Sequence, residues 1–349
     1  MFGTSEPRPE RLDPGSAARA AELRALLDPA GLRRQVESLP GPRNRLHAPE
    51  AMAQADRAIA ERFRAAGWET VLRSFEERDV EAYIDHDGFV RKVRHEVLAG
   101  TNVVAVREGE RSRDAVAVVA HHDTVRDTPG ADDNTASVVA LLELAGLLGG
   151  RRFERSIVLA AVDMEELGLF GSRALVRELL AERRVAGAIV FETMSYSSSE
   201  PGSQALAPGI GALYRGQVRR VRANGSIGDW TNVMYRSTSR GLARAFGGAL
   251  AHLAGGPEAV IMLRDPLDLP VLGPILGRTV PFVKEFGRSD HKAFWEAGIP
   301  AILVNDTANF RNPNYHRATD EPDTLDHERL ADITAAAALT VERFARPIP

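Results

Sequence analysis

The chain has 349 residues, 44% hydrophobic and 26% charged, with a formal net charge of −4 and no cysteine. This is the composition of a folded globular protein, long enough for one large α/β domain or two smaller ones. It excludes disulfide staples, thiolate metal ligands and a cysteine nucleophile, and the interleaved charges lack the basic stripe of a nucleic-acid binder.

No apolar run approaches the roughly 20 residues of a membrane span, so no membrane partner is expected. The N-terminus, MFGTSEPRPERLDPGSAARAAEL, lacks an apolar signal-peptide core. It reads as cytoplasmic, or as a secreted chain already trimmed.

Met1 to Gly15, rich in Pro, Arg and Glu, is predicted to be a loose tail. Ser16 to Leu39 should form two helices broken around Asp28 and Pro29. Residues 1–42 are therefore read as a tail and helical extension ahead of one domain over 43–349. Arg43 to His47 is a loop. Met52, Ala55, Ile59, Phe63 and Ala66 recur at helical spacing, which predicts a helix over Ala48–Gly67 ended by the glycine. Trp68 to Phe75 alternates as a strand. Val80 to Leu98 reads as β-structure with a turn at Asp85–Gly88, and Thr101 to Arg107 as another strand.

From Ala115 onward strands and helices alternate, the pattern of βαβ units on a largely parallel sheet. The expected strands are Ala115–Ala120, Ile157–Val162, Ala186–Phe191, Ala259–Leu263 and Ala301–Val304. The expected helices are Asn134–Leu148, Gly168–Arg183, Ser239–Ala254, Asp290–Ala297 and Leu325–Phe344. Thr193–Tyr235 and Leu267–Pro281 break the rhythm with Pro, Gly and Ser and are expected to be loops.

The polar residues at the strand ends carry the chemistry. In open α/β sheets, sites form outside the carboxyl ends of the strands. The first apolar run delivers His121, His122 and Asp123. His121 can be a core or capping histidine, or a ligand whose second nitrogen is held by Asp123 two residues on. His122 should point the opposite way. Asp132 and Asp133 precede a helix. One can cap it, but two adjacent acids exceed what a cap needs, and a carboxylate can bridge two metal ions. The second run delivers Asp163, Glu165 and Glu166. As an adjacent pair, Glu165 and Glu166 can be solvated turn residues, or one ligand and one proton acceptor. Glu192 ends the next strand. His316 lies in a polar loop and offers a second imidazole. Ser289-Asp290-His291 suggests a helix cap; a serine-nucleophile reading lacks any G-x-S-x-G elbow. Nitrogen and oxygen donors without sulfur suit zinc, manganese or cobalt.

Six motifs in order carry a family resemblance: H-H-D-T (His121 to Thr124), P-G-A-D-D-N (Pro129 to Asn134), M-E-E-L-G-L-F-G-S (Met164 to Ser172), F-E-T (Phe191 to Thr193), S-D-H (Ser289 to His291) and Y-H-R-A-T-D-E-P-D-T-L-D (Tyr315 to Asp326). Over about Arg43 to Ala345 the chain resembles the two-zinc aminopeptidases of the bacterial leucyl aminopeptidase and aminopeptidase Y type. The resemblance implies a three-layer α/β/α sandwich around a mixed, mostly parallel sheet. It implies two Zn2+ ions, with Mn2+ or Co2+ as substitutes: His121 and Glu192 on one, Glu166 and His316 on the other, Asp133 bridging, and a cis peptide after Asp133. Glu165 would be the general base and Asp123 the partner of His121. The implied reaction is hydrolysis of the N-terminal bond of a peptide with a free amino end. Glu192 has a longer arm than the aspartate found there in several members. Phe282, Phe286, Trp295 and Tyr315 are candidate pocket walls or core residues. The alternatives are a single-zinc glutaminyl cyclase, or a dipeptidase or carboxypeptidase of the same fold.

Overall fold

The computed structural model describes residues 6–85 and 89–348. Among them an eight-stranded mixed sheet lies between two helical layers. The strands are β1 (Glu69–Ile84), β2 (Arg91–Arg107), β3 (Ser112–His121), β4 (Arg155–Val162), β5 (Val185–Phe191), β6 (Thr231–Tyr235), β7 (Val260–Arg264) and β8 (Ala301–Asn305), in the order β1-β2-β4-β3-β5-β8-β6-β7. The β4, β3, β5 and β8 strands run parallel, so their carboxyl ends share one edge. The β1–β2, β2–β4 and β6–β8 pairs are antiparallel.

Alternation along each central strand sorts its side chains between two cores. Val116, Val118 and Ala120 of β3 face one layer and Ala115, Ala117 and Val119 the other. The larger layer contains α1 (Pro14–Ala25), α2 (Pro29–Glu37), α3 (Pro49–Ala65), α4 (Ala136–Gly149), α7 (Arg240–Leu253) and α10 (His327–Ala345). Four consecutive alanines, Ala335 to Ala338, let α10 pack closely in its centre. The opposite layer rests on α5 (Phe170–Glu182) and α9 (His291–Glu296). Each fully buried Leu- or Phe-sized side chain contributes roughly 1.5–3 kcal/mol.

Several segments differ from the sequence expectation. The three β-segments predicted between Trp68 and Arg107 are two long strands of one hairpin, because the antiparallel register runs unbroken through the charged stretches. Of its predicted turn, only Asp85 is described; 86–88 lie outside the described residues, as do residues 1–5 of the predicted tail. The rest of that tail is tied down: Glu6 accepts from Met262 N and Arg220, and Glu10 N donates to Arg244 O. The predicted loop 193–235 contains α6 (Arg215–Ala223) and β6. The α6 sequence RGQVRRVRA shows only two large apolar residues, too few for a periodic signal, yet Val218 and Val221 are both buried. Within 267–281 lies α8 (Leu272–Thr279).

Candidate metal centre

Three parallel strands deliver acids and histidines to one edge. β3 ends in His121, β5 is followed by Glu192, and β4 runs into the turn holding Glu165 and Glu166. That turn is tightly built. Gly168 N and Leu169 N both donate to Glu165 O at 2.9 Å, and Gly171 N donates to Asp163 O at 3.0 Å. A Cβ on Gly171 would lie 2.2 Å from Asp163 O, so glycine is what lets α5 begin against the end of β4. Asp133 comes from a kinked segment, Ala131–Thr135, ahead of α4, with non-helical backbone angles at Asp133 and Asn134. The Asp133–Asn134 peptide is cis, as the resemblance implied.

The distances converge on Asp133. Its Oδ1 lies 3.2 Å from His121 Nε2, and its Oδ2 lies 3.2 Å from His316 Nε2. Glu192 Oε1 lies 3.4 Å from His121 Nε2, and Glu166 Oε2 lies 3.4 Å from His316 Nε2. Two ligand groups result, His121–Asp133–Glu192 and Asp133–Glu166–His316, each with donor atoms within 4.8 Å of one another. They share one carboxylate, with a different oxygen turned to each. Glu165 sits beside both, within the same span of His121 and Glu166.

The residues present fit divalent cations. Asp133 Oδ1 and Oδ2, Glu166 Oε1 and His316 Nε2 are buried without a hydrogen-bond partner, a costly state unless something else satisfies them. Without cations, protons carry the charge balance. Burial favours a neutral His121, but Glu192, Asp123 and Asp133 raise its pKa well above the ordinary value. Burial opposes charge on His316 too, and Glu166, Asp133 and Asp85 outweigh it. Burial and the neighbouring Glu192, Glu166 and Asp290 push Glu165 well up. Burial and Asp133 raise Glu166 likewise. Asp133 is held low: burial would raise it, but both histidines outweigh that.

Surrounding groups aim these side chains. Asp123 lies 3.4 Å by Oδ1 from His121 Nδ1, which is closer, at 3.1 Å, to the Asp123 carbonyl oxygen. The Asp123 carboxylate mainly holds the acidic turn, accepting from Glu165 N at 3.1 Å and Glu166 N at 3.2 Å. Asp320 does the same for the other acidic pair, accepting from Asp132 N and Asp133 N. Ser289 Oγ donates to Glu192 Oε2 at 2.7 Å, so this hydroxyl serves a carboxylate and is no nucleophile. Asp85, from the tip of the β1–β2 hairpin, places Oδ2 2.6 Å from His316 Nδ1. An acid in a hairpin turn gave no sequence signal for that role; Asp320 sat unassigned inside a recognised motif, and Ser289 was read as a helix cap rather than as the partner of Glu192.

The other candidates are structural. His122 turns away, bonding Asp56 and Val162 O at 2.8 Å each. Asp132 caps no helix; it accepts from Ser195 N and from Asn312 Nδ2. Asp163 pairs with Arg45 at 2.5 Å. His291 contacts Phe286 O at 2.8 Å, and burial drives its pKa down to about 4. Trp295 packs in the α5–α9 core, whereas Phe282, Phe286 and Tyr315 line the cavity at the site. Met164, Leu169, Thr193 and His316 have φ of 55°, 63°, 38° and 57°. Non-glycine residues so placed each store about 1–3 kcal/mol of strain. Here all four lie next to, or are, the groups just described.

Comparison with known proteins follows the same residues. The model of peptidase family M28 matches residues 102–224 and 273–341, more than half of the chain. The chain belongs to peptidase family M28. The uncharacterized protein YfbL of Escherichia coli (strain K12) is 31% identical over 216 residues, 61% of this M28 chain and 59% of that protein. Aminopeptidase YwaD of Bacillus subtilis (strain 168) is 26% identical over 262 residues, 70% of this chain and 46% of YwaD. The chain thus spans less than two thirds of these relatives. The aminopeptidase from Aneurinibacillus sp. strain AM-1 superposes with a TM-score of 0.66 at 15% identity, over 94% of this chain and 97% of that one. At that identity the likeness is one of fold, an α/β sandwich around the mixed sheet. Among the described residues no helix is long and apolar enough to cross a membrane.

Proposed function

We propose that this M28 chain is a two-zinc aminopeptidase that hydrolyses the N-terminal bond of a peptide with a free amino end. The observation that carries the reading is Asp133, whose two carboxylate oxygens face two different histidines at 3.2 Å. His121, Asp133 and Glu192 would hold one ion, and Asp133, Glu166 and His316 the other. The zinc in the names of several relatives, such as the probable zinc metalloprotease of Pyricularia oryzae, agrees with this donor set. Two zinc ions there would supply Lewis acidity, acidifying a water and polarising the scissile carbonyl.

The chain's own groups do the rest. Glu165 takes the proton of the attacking water and returns it to the leaving nitrogen. Its carboxyl lies beside both ligand groups, close to His121 and Glu166, which places it for both transfers. Asp123 fixes Glu165 and Glu166 by their backbone nitrogens, so base and ligand keep one geometry. Asp85 orients His316 through Nδ1, leaving Nε2 for the ion. The Tyr315 ring stacks on His316 with centroids 3.8 Å apart. Burial and the carboxylates of Asp133, Glu166 and Glu192 keep its phenol protonated. Its oxygen accepts from Arg288, which leaves its own O–H free for a carbonyl oxygen gaining charge. The excess of carboxylates over cations is suited to a substrate ammonium group.

Metal analysis of protein purified without chelator, beside hydrolysis of free-amino and N-blocked aminoacyl chromophores, tests this. About two zinc per chain with cleavage of the free-amino substrates alone is expected. One zinc with cyclisation of N-terminal glutamine would replace the reading by a glutaminyl cyclase.

A further inference from the structure

Outside the cavity at the metal centre, the segment around α8 carries an uncovered apolar surface. Leu267, Val271 and Ile275 are 44%, 83% and 53% exposed. Val271, Pro274, Ile275 and Arg278 recur at three- and four-residue steps, so they form one outward stripe of α8. The half-buried Leu276 packs on the apolar cluster under the helix. Leu267 extends the stripe. A Cβ on Gly273 would lie 2.2 Å from Leu267 O, and one on Gly277 2.8 Å from Leu267 Cδ2, so the two glycines let this turn rest on the helix. Val271 is held at φ 65°, an angle that β-branched residues rarely adopt, and this backbone presents a valine to water.

The free charges beside the stripe have one sign. The acids of the segment are engaged: Asp265 with Arg236 at 2.8 Å, Asp268 with Arg264 at 2.6 Å, and Glu285 with Arg288 at 2.8 Å. Arg278 and Lys284 are exposed and have no carboxylate within 4.0 Å among the described residues. The neighbouring α6 joins the same apolar cluster through Val221 and turns Arg215, Arg219 and Arg222 outward, also without carboxylate partners among the described residues.

A second copy of the chain suits this surface poorly. An isologous contact would bring two sets of unpaired cations together with no acid to meet them. Four apolar side chains are also far fewer than the roughly 20–30 residues a side of a standard protein interface. An anionic bilayer answers both features at once. Its acyl boundary takes up aliphatic side chains, and its headgroups supply the missing negative charge.

We propose that the 267–284 surface docks on an anionic lipid bilayer, with Leu267, Val271, Pro274 and Ile275 entering the boundary between headgroups and acyl chains and Arg278 and Lys284 pairing with lipid phosphates. The attachment lies on the bilayer and involves no spanning helix among the described residues.

The test is co-sedimentation of the whole chain with sucrose-loaded vesicles of phosphatidylcholine, alone or with about one third phosphatidylglycerol. The protein should pellet with the anionic vesicles. It should stay in solution with the neutral ones, and at about 1 M salt, where the screening length is about 3 Å. Val271→Ser with Ile275→Ser should lower the partition coefficient roughly tenfold or more. Arg278→Gln with Lys284→Gln should lower it by roughly the same factor. Both pairs are exposed, so the thermal unfolding midpoint should not move. Val271→Trp gives a reading that needs no loss of binding. Trp68, Trp230 and Trp295 are buried, so a blue shift of its emission on anionic vesicles reports position 271. No binding to anionic vesicles, equal binding to neutral ones, equal partition of the serine variant, or no blue shift would each overturn the proposal. A dimer in solution that Val271→Ser with Ile275→Ser dissociates would assign the surface to a second copy instead.

Discussion

Two regions of the sheet end at the same opening and are built by opposite means. At the β3–β4–β5 edge the side chains are acids and imidazoles, and each is aimed by a named second group: Asp123 holds the Glu165–Glu166 turn, Ser289 holds Glu192, and Asp85 holds His316. Over β6, β7 and β8 the walls are mostly apolar, and polar residues such as Asn232 and Gln217 bond to the strands themselves. The first region is arranged to hold charge in one geometry, which needs redundancy of orientation. The second is arranged to leave an open, mostly apolar space. The two are thus built separately, and substitutions should separate them.

The largest expected effect is on the charged edge. Glu165→Gln keeps the shape of the side chain and removes proton transfer. Turnover should fall by roughly 10²–10⁴-fold, with about the same metal content as the unchanged protein. Substantial residual activity in a metal-loaded Glu165→Gln protein would show that another group takes the proton.

Next comes a pH effect on the cavity wall. His291, on the helix beside that wall, has its pKa lowered from 6.5 to about 4 by burial and contacts Phe286 O. The folded state holds this ring neutral, so the unfolded chain binds the extra proton between those values. Stability from this group is therefore complete above pH 6.5 and is lost as pH falls toward 4. The loss should be about 3 kcal/mol. Urea unfolding at several pH values, compared with His291→Gln, measures it. An equal acid loss in the variant would assign the effect to other groups.

The smallest effect distinguishes the two proposed ion sites. Asp85→Ala should weaken the ion held by His316 by roughly 10–100-fold and leave the His121 side unchanged. Competition with a chromophoric zinc chelator would show one weakened class of site. Two equally weakened classes would mean that the hairpin tip supports the whole centre rather than one histidine.

The charged edge was legible because its residues follow apolar runs directly. His121, Glu165, Glu166 and Glu192 lie within four residues of a buried strand's end, so naming the strands located them. Asp85 was not legible. It reaches His316 from 231 positions away along the chain, and nothing near it marks more than a turn. The cavity was equally hidden. Its cover includes α6, whose arginines mask the two valines that anchor it, and segment 193–235 read as an irregular loop.

The sequence by itself determined the layered α/β fold, the set of donors without sulfur and the edge at which they gather. Strand periodicity, residue chemistry and motif order are local properties that survive without coordinates. Only the tertiary structure decided that one carboxylate faces both histidines, that Asp123 serves the acidic turn more than its histidine, and that segment 193–235 folds over a cavity beside the metal-centre residues. Those facts depend on distances between residues far apart in the chain. Such distances come from how strands stack and turns close, which no local pattern encodes.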